Sequence, residues 1–210
     1  CDLWLELAVC EFSRLLPGPM CSWYLRGMGA EVIKLESPTG GDPFRHFPPL
    51  DENGVGVGFS ALNAGTRSVA LNLRTPEGLA AARALIGSVD VVVEGFRPGV
   101  MARLGLDPAE LVETWPGLIV VSISGFGQTG SWRDRPGHDL GYMGLSGLLS
   151  MNADSSGPPR PMSAQVADVG GGALTGALAI VGALLERERT GEGRWVDISM
   201  TEGALAFGVP

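Results

Sequence analysis

The 210-residue sequence predicts an α/β domain built on a parallel sheet. Short β-branched runs alternate with longer amphipathic ones along the chain. Two of the runs, residues 89–96 and 117–127, are apolar enough for strands buried on both faces. A composition that is 45% hydrophobic and 18% charged is that of a globular chain able to bury a sizeable core.

The elements follow in order. Residues 5–12 read as a first strand, Leu15-Leu16-Pro17-Gly18-Pro19 turns the chain, and a helix over 20–28 closes at Gly29. A second strand covers 30–36, and a long Gly- and Pro-rich loop runs from 37 to 58, a length that usually signals function or mobility. Residues 67–73 alternate as a third strand, and Thr75-Pro76, cap and first-turn proline, open a helix to about Ile86. The strand over 89–96 precedes two short helices, 98–106 and 107–115, the second capped by Asp107. After the central strand over 117–127, a helix is expected over 139–151, then a polar loop over 152–161. Asp168 and three glycines lead into an apolar helix ending near Arg189, and residues 194–200 close with a strand.

A net charge of −8 leaves no basic excess to neutralise phosphates, which argues against nucleic acid as a partner. Fourteen of the 15 basic residues are arginine, favouring forked contacts to phosphate or carboxylate. Cys1, Cys10 and Cys21 are odd in number and lack metal-ligand spacing, so no metal and a reducing, cytoplasmic compartment are expected. No uninterrupted apolar run reaches the roughly 18 residues of a membrane span, and residues 173–185 suit a buried helix, so no membrane partner is expected. No charged leader with a cleavage site is visible, and none is expected to direct secretion. The chain opens on Cys1 and stops at Pro210 inside an apolar run, so it is expected to be part of a longer protein.

Candidate chemistry gathers late in the chain. Gly54–Phe59, "GVGVGF", has its third glycine misplaced for a dinucleotide loop and is rejected as one. His138 falls in the loop beyond a strand end, where sites form in open parallel sheets, and an imidazole exchanges protons near neutral pH. Taken alone, such a histidine is a structural residue more often than not. Asp139 is a natural helix N-cap. Asp168 could also be a cap, yet Gly170, Gly171 and Gly172 are poor choices for helix initiation alone. They would let a ligand approach bare backbone N–H groups beside a carboxylate. Arg45, Arg67, Arg74, Arg97 and Arg103 lie near expected strand ends; each alone reads as a surface charge, and together they could hold several phosphates.

"SRLLPGPMCSWYLRGMGAEVIKLESPTGGDPFR", "NAGTRSVALNLRTPEG", "VVVEGFRPGVMARLGL", "LIVVSISGFGQTG", "PGHDLGYMGLSGLL", "ADVGGGAL" and "ERERTGEGRWVDISMTEG" occur in this order. In that order they resemble the class III CoA-transferase family (CaiB/BaiF-type), closest to its α-methylacyl-CoA racemase branch. The resemblance spans essentially the whole chain. It implies a Rossmann-like large domain over residues 1–198, with 199–210 beginning a linker to a small domain that this chain lacks. It also implies a homodimer of interlocked rings, and an acyl-CoA thioester as substrate, with coenzyme A part of that substrate and no tightly bound cofactor. By the same resemblance Asp168 is the central catalytic group: nucleophile in a transferase, acid/base in a racemase. His138 is the second acid/base, supported by Asp139. Arg97 and Arg103 lie near CoA, with Arg45, Arg67 and the three glycines as further CoA contacts. Lysine is usual in the family where Thr66 stands, so that phosphate contact is expected to be lost or moved to Arg67. The glutamate that approaches the histidine in racemases belongs to the small domain. The expected activity is α-methylacyl-CoA racemase or epimerase; the alternatives are a CoA-transferase and a non-catalytic CoA-binding fragment.

Overall fold

A computed structural model describes residues 6–154 and 157–209. Leu5, where the first strand was expected to open, Cys1 and Pro210 lie outside the described residues. Six strands form one parallel sheet: β1 (Ala8–Glu11), β2 (Glu31–Glu36), β3 (Arg67–Ala70), β4 (Val91–Glu94), β5 (Ile119–Ser124) and β6 (Trp195–Ser199). Their order, β3-β2-β1-β4-β5-β6, reverses direction between β1 and β4. This is the Rossmann-like arrangement, and the crevice at the reversal is where such sheets bind ligands.

Side-chain alternation supplies a core on each face. Val9, Val91, Val93, Ile119, Val121 and Ile123 point toward α1 (Pro17–Gly27) and α7 (Thr175–Thr190). Cys10, Val92 and Val120 point the other way, toward α3 (Pro76–Ile86), α4 (Val100–Arg103) and α5 (Pro108–Thr114). The helix starts follow their caps: Thr75 accepts from Gly78 N at 3.1 Å and Asp107 from Ala109 N at 2.9 Å.

Beyond shifts of a few residues at the ends of α1, α4 and β3, the structure departs from expectation in four places. The long loop is partly ordered as a 3₁₀ turn, Pro43–His46, and its end already belongs to α2 (Val57–Asn63). The helix expected over 139–151 stops early as α6 (Asp139–Leu145), because Gly147 takes a left-handed φ of 81° before a 3₁₀ turn, Leu148–Asn152. Asp168 sits inside a π-helical stretch, Val166–Leu174, which runs on into α7. Together they span 25 residues, Val166–Thr190, long and apolar enough to cross a membrane by length and composition alone. Here Ala173, Ala177, Ile180 and Leu184 of this stretch are buried in the core. Finally, residues 200–206 are helical, as α8 (Met200–Ala206), and pack closely on the π-helix.

Candidate active site

Two adjoining cavities open at the carboxyl end of the sheet, about 720 Å³ and about 540 Å³. They share Arg14, Phe96 and Arg97 as wall residues. The larger is bounded by the tips of β1 and β2, by Ser37–Thr39 of the long loop, and by Asn72, Arg74 and Leu104. The smaller is bounded by Ser124 at the end of β5 and Gly125 after it, by Arg133, Arg135 and His138, and by Tyr142, Asp168 and Met200.

The floor at the reversal point is held by a buried charge network. Lys34, 1% exposed, donates to Glu11 Oε1 at 2.7 Å and Ser13 O at 3.1 Å, and faces Asp42 Oδ2 at 3.0 Å. Asp42 in turn accepts from Leu15 N at 3.1 Å, which holds Leu15 at its left-handed φ of 64°. One lysine thus ties β1, β2 and the long loop together and fixes the backbone that carries Arg14. Buried charges are tolerated only when paired in this way.

His138 and Asp168 come together in the smaller cavity, from α6's start and the π-helix. Burial pushes the Asp168 carboxyl up to about 6, the Asp139 charge adds to the rise, and His138 opposes it. Asp139 is not the N-cap: His138 holds that position, and Asp139 is the first helical residue. Its Oδ1 instead accepts from Ala167 N at 2.8 Å and Asp168 N at 3.0 Å, so its recorded bonds orient the Asp168 backbone rather than the imidazole. Tyr142, whose hydroxyl donates to Gly137 O at 2.6 Å, fixes the turn before His138. Burial, then the Asp168 charge, push that phenol up to about 12.

The three glycines pack against α8 and the residue that follows it. A Cβ on Gly171 would stand 2.6 Å from Met200 O and 2.7 Å from Ala204 N of α8. One on Gly170 would meet the Phe207 ring at 2.7 Å, and one on Gly172 the Met200 side chain at 2.9 Å. At Gly171 the neighbour is α8 backbone, which cannot give way; at Gly170 and Gly172 it is a side chain that can turn aside.

The arginines divide. Arg97 lines both cavities. Arg103 borders neither directly; its guanidinium and that of Arg133 each lie 3.2 Å from where a Cβ on Gly99 would stand. Arg45 is committed to Glu36, with Nε–Oε2 2.8 Å, and stacks over Phe59 at 4.0 Å. Burial alone would raise Glu36, but bonds from Arg45, Ser68 and Asp42 N hold it down at about 2. Arg67, on the exposed edge strand β3, pairs with Glu31 of β2, and Thr66 accepts from Arg26 at 2.8 Å; neither lines the two cavities. Sequence reasoning missed Arg14, Arg133 and Arg135. Their signal was position alone, just beyond a strand or before the "PGHD" turn. Among the described residues no group of three His, Cys, Asp or Glu could hold a metal ion.

The CoA-transferase family III model matches residues 6–209. The chain is 40% identical over 202 residues to the succinate–glutarate CoA-transferase of Agrobacterium fabrum, covering 93% of this chain and 50% of that protein. It is also 40% identical over 197 residues to the human α-methylacyl-CoA racemase, covering 94% and 48%. A crystal structure of a CaiB/BaiF family protein from Brucella suis superposes with TM-score 0.92 at 35% identity, covering 98% of this chain and 55% of that one. The chain spans about half the length of the relatives it matches. It belongs to CoA-transferase family III.

Proposed function

We propose that the full-length protein is an acyl-CoA racemase or epimerase. His138 and Asp168 would exchange the α-proton of a 2-methylacyl-CoA through an enolate. The observation that carries this reading is that both groups line one cleft, with the carboxyl raised to about 6, near working pH. One group removes the α-proton and leaves its electron pair on the thioester as an enolate. The other returns a proton to the opposite face, inverting the centre. Thioester α-protons are far less acidic than either side chain, so the enolate needs fixed donors around it. Arg14, Arg74 and Arg97, exposed around the larger cavity, would take the CoA phosphates. In this reading Asp139 positions Asp168. The full-length protein would be a homodimer, and Leu174, Leu178 and Leu185, 48–69% exposed, offer it an apolar face.

A second reading is favoured by the equal identity to a named CoA-transferase. There Asp168 attacks the thioester carbonyl, releasing CoA thiolate and leaving an acyl anhydride on the enzyme. Incubation of the full-length protein with a 2-methylacyl-CoA in deuterated water, without an acid acceptor, separates the two. Deuterium uptake at the α-carbon that is lost in His138→Ala supports the racemase. CoA transfer to an added acid that survives His138→Ala but not Asp168→Ala supports the transferase. Neither reaction with intact binding leaves a CoA-binding module.

A further inference from the structure

Resting on the reading of His138 as an acid/base, we infer that Tyr142 is its positioning residue, pinning the backbone that carries the imidazole at the cleft. His138 is exposed, and the carboxylate next to it, Asp139, is spent on Ala167 N and Asp168 N. Where the imidazole stands therefore depends on the two peptide groups that flank its Cα. Tyr142 holds both. Its hydroxyl donates to Gly137 O at 2.6 Å, and its backbone N donates to His138 O at 3.2 Å. With both planes fixed, His138 keeps the extended φ of −139° and ψ of 171° from which α6 begins.

The phenol ring is itself wedged. A Cβ on Gly125, just after β5, would stand 2.5 Å from the ring and 2.6 Å from its hydroxyl oxygen. One on Gly137 would stand 2.4 Å from the ring. Both neighbours lack a side chain, and the ring fills the space between the strand end and the His138 turn. Phe126 packs edge-on against it, with centroids 5.3 Å apart at 86°. Behind it, Thr201 donates to Gly125 O through N at 3.1 Å and Oγ1 at 2.7 Å. The end of β5, the Tyr142 ring and the turn thus make one strut to His138, and a group so held is in place before substrate arrives. Tyr142 itself exchanges no proton: burial, then the Asp168 charge, push the phenol up to about 12, so it stays a donor.

The test uses full-length protein with a 2-methylacyl-CoA in deuterated water, and compares the parent with Tyr142→Phe and Gly137→Ala. Tyr142→Phe keeps the ring and deletes one hydrogen bond. Its kcat for α-deuterium exchange is expected to fall about 10-fold, with KM and melting temperature little changed. Gly137→Ala drives a methyl into the ring from the other side and is expected to lower kcat at least as far, because a small misplacement of a reacting group is costly. A kcat for Tyr142→Phe within about twofold of the parent, even with a lowered melting temperature, overturns the role of Tyr142 and leaves the proposed function standing. A parent that binds acyl-CoA and exchanges no α-deuterium overturns both.

Discussion

Asp168 holds its proton to a higher pH than a free aspartate because it is 8% exposed and its neighbour Asp139 is negative. The sign follows directly: below about 6 the carboxyl is loaded, above it the carboxylate is free to act. As base or nucleophile, Asp168 should therefore give a rate that rises with pH through a limb near 6. In Asp168→Asn that limb should vanish and the rate fall by about 100-fold or more; a pH–rate profile of kcat/KM checks both. Sequence reading singled out this residue and His138 as candidates, and the structure brings the two into one cleft. It misassigned Asp139, since a carboxylate at a helix start looks the same whether it caps its own helix or reaches 28 residues onward.

Among the elements, the π-helix and α8 show what sequence patterning does not carry. Alternation and capping announced all six strands and the helices opened by Thr75 and Asp107. A π-helical turn has no comparable signature, and its glycines read as a ligand loop because their partner, α8, lies about 30 residues downstream. Gly171→Ala places a methyl against α8 backbone that cannot yield, since a Cβ there is 2.6 Å from Met200 O. Loss of about 1–3 kcal/mol is expected from such overpacking, measured as a lower urea midpoint. Gly144→Ala, with nothing near its Cβ, is the matched control. Arg45 and Arg67 mark the opposite limit. Their place near strand ends was legible, but only the folded chain shows that Glu36 and Glu31 already hold them.

For the molecule as a whole, the sheet carries a second pH sensitivity away from the cleft chemistry. Burial raises Glu94 to about 7, and Asp197 adds to the rise, against bonds from Ser122 and Phe96 N. An ordinary glutamate ionises near 4.5, so as pH climbs from there to about 7 the unfolded chain sheds a proton that the folded one keeps. Stability falls across that window, and the loss stays complete above it. Glu94→Gln should match the parent near the acid end and exceed it at pH 8 by about 1–3 kcal/mol, read from urea unfolding of the full-length protein. A variant less stable than the parent at pH 8 would show that the ionised form is the favoured one.

Lys34 is the one lysine among the 210 residues, and it sits sealed between two carboxylates at the floor of the crevice. The positive charge this chain shows to its surroundings is therefore guanidinium. An amine-acylating reagent has no lysine to mark while the sheet is closed. A tag on Lys34, read by peptide mass spectrometry, thus becomes a clock that starts only when β1 and β2 come apart.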